Sequence, residues 1–168
     1  MLNKIIQVCN KIEEIITKIT AILIILLSIL VSWQVFARYV LNTGQFWAEE
    51  ISVTAMMWIA FLGASGGIWT KSHIGLRFFI ELFPDKLRKV IAIINYLVIG
   101  SFSLLLFNYG IILVKKTMSG RLSATNIPIG YAYLIIPLST AFMVIFSLLR
   151  IIQEIMKLYR KDEWGLEK

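Results

Sequence analysis

Glu49 and Glu50 stand side by side in the stretch F-A-R-Y-V-L-N-T-G-Q-F-W-A-E-E-I (Phe36–Ile51), and Arg38 lies a short way before them. Neighbouring carboxylates can do acid–base work or hold a metal, but each task needs partners within reach. The single histidine, His73, and the single cysteine, Cys9, are too distant from each other to supply a ligand set. Ser65, Gly66 and Gly67 sit in an apolar run with no Lys-Ser/Thr after them, so they make no phosphate loop. No catalytic, metal or cofactor constellation emerges, and an enzyme is not expected. The charges fit helix ends instead. Arg38 would close one helix at its negative pole, and Glu49 and Glu50 would open the next at its positive pole. Tyr39, Phe46 and Trp47 are rings of the kind found where hydrocarbon meets water. The stretch reads either as a capped, aromatic-belted membrane hairpin or as a docking element for a partner protein.

The elements that must position these residues are apolar and long. Of 168 residues, 58% are hydrophobic and only 16% charged, against about 25% charged in soluble domains. No Lys, Arg, Asp or Glu occurs in Ile19–Ala37, Ile51–Thr70, Val90–Val114 or Leu122–Leu149. Each run matches or approaches the ~20 residues that cross a bilayer as helix, and lipid demands that backbone groups pair within the segment. The expected fold is an all-α integral membrane protein, one four-span domain over 1–168. Its spans are placed at about 19–41, 51–70, 90–114 and 131–149. The first run is too long for a signal-peptide core and lacks a cleavage site, so it reads as a retained span.

Basic residues set the orientation. Thirteen of the seventeen Lys and Arg fall in the N-terminal segment, the middle loop and the C-terminal tail. Only Arg38, Lys115, Lys116 and Arg121 fall on the other side. Both termini and the middle loop are therefore expected in the cytoplasm of a bacterial inner membrane. Lys71, Arg77, Lys86, Arg88 and Lys89 in that loop suit anionic lipid headgroups. Basic residues spread over three short flanks do not suit nucleic acid. Cys9, alone on the reducing side, forms no internal disulfide.

Finer patterning follows. Ile5, Val8, Ile12, Ile15 and Ile19 recur at helical spacing, with Glu14 and Lys18 as an i,i+4 pair. That segment either lies on the membrane or extends span one. Gly63 and Gly67 have G-x-x-x-G spacing, which permits close helix contact inside a four-helix bundle or with another chain. Leu76, Phe79, Ile80 and Phe83 predict a short cytoplasmic interfacial helix at about 74–83, between spans two and three and ended by Pro84. Asn95 and Asn108 are candidates for hydrogen bonds between helices. Pro137 predicts a kink in span four, after an irregular approach over 124–130. The spans carry no ionisable residue away from their ends, which argues against a complete transporter and for an accessory subunit.

F-x-R-Y near the end of span one, W-A-E-E-I at the start of span two, F-L-G-A followed by His73-Ile74, and the later T-N-I-P-I-G-Y-A-Y-L-I-I-P resemble one family in order and spacing. It is the small membrane subunit of tripartite ATP-independent periplasmic (TRAP) transporters, the DctQ-like family, and the resemblance runs from about Val31 to Met143. The resemblance implies a large multi-span permease partner and a periplasmic binding protein that delivers an organic acid, such as a dicarboxylate or sialic acid. It also implies sodium-driven uptake in which this subunit braces the permease and helps dock the binding protein. Arg38, Trp47, Glu49 and Glu50 match the family pattern and are the expected interface residues, with Gly63 and Gly67 as a helix-contact stripe. The alternative is an autonomous small channel or exporter assembled from copies of this chain. On a helical wheel Glu49 shares a face with Val53, Met56, Ala60, Gly63 and Gly67. Glu49 and Arg38 are therefore expected to matter more than Glu50.

Overall fold

A computed structural model describes residues 2–70 and 84–163. The expected interfacial helix at 74–83 lies outside the described residues, as do Lys71, His73 and Arg77 and the side chains of Lys86 and Lys89. Among the described residues four helices are long and apolar enough to cross a membrane, and every regular element is helical apart from one isolated bridge. The first three charge-free runs each fall within one of these helices, and the last begins in a loop and continues through two helices from Ile129.

The first helix, α1, runs unbroken from Leu2–Tyr39. At 1.5 Å per residue it is about 57 Å long, well beyond a ~30 Å hydrocarbon core. The N-terminal segment thus extends span one, and its Glu14–Lys18 pair forms at 2.7 Å on the exposed side. Asn42 ends the run in the left-handed region (φ 50°), a conformation Asn tolerates. Thr43 then donates its N–H back to the Ala37 carbonyl at 3.1 Å. Helix α2 follows at Phe46–Thr70. Ala37 and Ala48, fully buried on either side of the turn, let the two helices close.

Helix α3 spans Asp85–Thr117, with Pro84 just outside its first turn. A short helix α4, Ile129–Tyr133, leads after one residue into α5, Ile135–Glu163. The break at Leu134 lies three residues before Pro137. That proline has no N–H to give the Tyr133 carbonyl, and its ring crowds the same oxygen, so the helix interrupts upstream of the ring. The expected kink is this interruption.

The four long helices stand in a row, α1–α2–α5–α3. In this row α2 and α5 run parallel, so both termini share one end with the C-terminus of α2. The loops after α1 and after α3 share the other, called the hairpin end below. The four expected spans are thus arranged as a row. Lipid tails solvate Leu and Ile as well as other side chains do, so nothing drives the outer pair to close on each other.

Close approach along the row uses small residues. A Cβ on Gly110 would come within 3.1–3.3 Å of Ile136 and the Pro137 ring, and one on Gly100 within 2.9 Å of the Ser147 hydroxyl. Gly66 plays this part against Ile16 and Thr17 of α1. Among the described residues a Cβ on Gly63 or Gly67 would meet nothing within 4 Å, so the G-x-x-x-G stripe makes no close contact there. Ser139, Thr140 and Ser147 are fully buried and return their hydroxyls to carbonyls of their own helix, which satisfies them without crossing. Asn108 does the same, donating to the Leu104 carbonyl from an exposed position.

At the terminal end, Trp69 joins three helices. Its indole N–H donates to Asn10 Oδ1 at 2.7 Å, and its ring lies 5.3 Å from Phe146. The Arg150 guanidinium stacks on it at 4.4 Å and donates to the Trp69 carbonyl. Arg150 is counted among tail charges by sequence, yet it is half-buried here and fastens the α2 C-terminus, where an orphan carbonyl and a dipole end both favour a cation.

Candidate functional site

The hairpin end carries most of the residues singled out from sequence. Arg38 closes the last turn of α1, and Glu49 lies near the start of α2. The two meet at 3.9 Å, both more than half exposed. Their mutual attraction is therefore solvent-screened and worth about 0–1 kcal/mol. Trp33 helps fix the turn by donating its indole N–H to Gln45 Oε1 at 3.2 Å. Phe46 and Trp47 present large exposed ring surface beside it.

Glu50 has other surroundings. Its Oε1 accepts the Ala124 N–H at 2.7 Å. Its Oε2 accepts both the Thr125 N–H and the Thr125 hydroxyl at 2.9 Å. One carboxylate thus takes three donors from a single turn, the geometry that gives charge-assisted hydrogen bonds their strength.

That turn belongs to a small hairpin. Arg121 and Pro128 pair as an antiparallel bridge, and Leu122 donates to the Ile127 carbonyl at 2.9 Å. Asn126 supplies the left-handed residue (φ 59°), and Arg121 caps its carbonyl at 3.0 Å. Below it, Trp58 of α2 donates to the Ala132 carbonyl at 3.0 Å, in the last turn of α4 where carbonyls lack helical partners. The stretch read from sequence as irregular is therefore a built loop, tied to α2 at two levels.

Between the first half of α2 and the α3–α5 connection lies a groove of about 700 Å³. Its walls are mostly apolar, with Glu49 and Glu50 toward the hairpin end.

The structure thus brings Arg38, Trp47, Glu49 and Glu50 to one end and leaves Gly63 and Gly67 further along α2 on an open face. Of the middle-loop basic group, Arg88 is half-buried in the first turns of α3. Sequence reasoning missed the Glu50 anchor, which spans 74 residues, and the Arg150–Trp69 stack. The one available signal for the first was the Ser-Ala-Thr-Asn run, whose turn chemistry leaves backbone N–H groups free for a carboxylate. Among the described residues no group of three or more His, Cys, Asp or Glu could hold a metal.

Long apolar helices in a row, with α2 fastened to the α3–α4 loop at one end, define a multi-pass helical membrane protein. Residues 27–157 match the family described as "Tripartite ATP-independent periplasmic transporters, DctQ component". The chain belongs to that family. Over 88 residues it is 38% identical to the sialic acid TRAP transporter small permease protein SiaQ of Vibrio cholerae, covering 52% of this chain and 47% of that protein. Over 72 residues it is 36% identical to the C4-dicarboxylate TRAP transporter small permease protein DctQ of the same organism, covering 43% of this chain and 31% of that protein. Less than half the length of each of these relatives is matched.

Proposed function

We propose that this chain is the small membrane subunit of a binding-protein-dependent secondary transporter that imports an organic acid, sialic acid or a dicarboxylate, driven by sodium. The family match over 27–157 carries the reading, and the two relatives' names supply the substrate class. The subunit braces a large permease subunit in the bacterial inner membrane and helps receive a periplasmic binding protein at the hairpin end. Both termini face the cytoplasm, as the distribution of basic residues argues.

Two structural features support this division of labour. The Glu50 anchor holds the α3–α4 loop as a preformed outer surface. The Gly63–Gly67 face is open among the described residues, which suits close approach of a helix from the permease. Arg38, Trp47, Glu49 and Glu50 belong to the outer interface in this reading, and Lys71, Arg77, Lys86, Arg88 and Lys89 to the cytoplasmic lipid surface.

Reconstitution tests it. The chain alone should give no sodium-coupled uptake, and adding the large subunit with its binding protein should give it. Uptake by a homo-oligomer of this chain would favour an autonomous channel or exporter instead. Within the complex, Gly63→Leu and Gly67→Leu should reduce co-purification of the large subunit while leaving the chain's own helicity intact. Equal recovery would remove that face from the interface.

A further inference from the structure

The groove at the hairpin end combines two features that no helix contact explains. Its walls are apolar over most of their extent, from Phe46, Val53, Met57, Ile129, Ala132 and Tyr133. Its mouth carries Glu49, with the Arg38 guanidinium 3.9 Å from the carboxylate. At that separation the charges attract without a well-formed hydrogen bond, and both groups are more than half exposed. Each keeps hydrogen-bonding capacity for a third partner. Glu50 keeps less, because the α3–α4 loop already places three donors on its two oxygens.

An apolar slot beneath a loosely joined anion and cation has the outline of a zwitterionic phospholipid. We propose that this groove binds a phosphatidylethanolamine-type lipid, with an acyl chain between α2 and α4, the ammonium on Glu49 and the phosphate on Arg38. The slot alone cannot select, since an acyl chain is solvated equally well by lipid tails and by Val or Met. Selection belongs to the mouth. A primary ammonium offers three N–H donors to a carboxylate, a trimethylated choline offers none, and a glycerol head brings no positive charge. The phosphate meets an arginine in a charge-assisted contact. Phe46, Trp47 and Tyr39, all exposed beside the mouth, set it at headgroup depth, where such rings concentrate.

Native mass spectrometry on the full chain, delipidated in mild detergent, tests the assignment with palmitoyl-oleoyl phosphatidylethanolamine, -choline and -glycerol as probes. The wild type should retain the ethanolamine lipid about tenfold better than either other, the scale of one charge-assisted contact. Glu49→Gln should abolish that preference. Val53→Trp, which fills the slot from a position 63% exposed, should lower retention of all three lipids. Leu105→Trp, on exposed α3 surface, should change nothing. Circular dichroism and elution profile check that each variant is folded, and the exposed Glu49→Gln carries the test if Val53→Trp is not. Equal retention of the three lipids by the wild type would overturn the proposal. So would undiminished retention in folded Val53→Trp. Repeating the measurement on the complex adds a third outcome. Expulsion of the lipid on assembly, with Val53→Trp blocking assembly, would assign the groove to a helix of the partner and overturn the proposal equally.

Discussion

Glu49 and Glu50 are adjacent in sequence, yet 100° of helix rotation gives them different work. A helical wheel of α2 alone favours Glu49, because it shows which residues share a face and not what arrives opposite. The structure supplies the missing half: Glu50 holds three donors of the α3–α4 loop, while Glu49 pairs with exposed Arg38. In the isolated chain Glu50→Gln should speed amide exchange at Ala124 and Thr125, since the amide NH₂ leaves one of the two N–H groups without an acceptor and the other with only a neutral oxygen. Glu49→Gln should leave both rates unchanged. Hydrogen exchange by mass spectrometry decides between them, and equal rates in the two variants would count against the anchor. Arg150 was equally illegible, because a basic residue at the end of an apolar run reads as a topology charge. Its stack on Trp69 and its bond to the Trp69 carbonyl predict that Arg150→Ala lowers stability by about 1–3 kcal/mol. Arg150→Lys should recover part of that, keeping the charge but losing the planar stack. Thermal unfolding in detergent measures both.

At the scale of elements, the four apolar runs located the helices but not their ends. Charge-free runs stop where the first Lys, Arg, Asp or Glu stands, whereas the helices continue past the hydrocarbon, as α1 does to Leu2 and α5 to Glu163. G-x-x-x-G pointed to Gly63 and Gly67, but among the described residues the tight contacts include those at Gly130, Gly100 and Gly110, none of which stands out by spacing. Gly110 faces the rigid Pro137 ring and backbone, which cannot rotate away. Gly110→Ala should therefore cost about 1–3 kcal/mol through overpacking of the α3–α5 seam. Gly63→Ala meets open space and should be neutral or stabilising by up to about 1 kcal/mol from helix propensity. Comparing the thermal midpoints of the two variants tests whether the seam or the motif holds the row together. A larger loss in Gly63→Ala would place the packing where the motif suggested.

The whole molecule is a row of helices with two unlike ends. The terminal end gathers Trp69, Arg150 and Phe146 in one aromatic and cationic cluster, joined through Trp69 to Asn10. The hairpin end carries the Glu50 anchor, the Arg38–Glu49 pair and four of the seventeen basic residues. Helix directions put both termini at the first end, so one determination of sidedness orients every loop. Native Cys9 is a poor reporter, because it is buried at 4% exposure and would stay silent on either side. Exposed positions avoid that ambiguity: Asn42 and Ser123 at the hairpin end, Lys4 at the terminal end. Cysteines at Asn42 and Ser123 should react with a membrane-impermeant thiol reagent in cells whose outer membrane is permeabilised. A cysteine at Lys4 should react only once the inner membrane is also opened. The charge asymmetry predicts this order. The reverse order would turn the Glu50-held loop toward the cytoplasm, where it could not receive a periplasmic binding protein. A mixed result, with Asn42 and Ser123 on opposite sides, would contradict the Glu50 contact itself, because that contact holds the two loops at the same end.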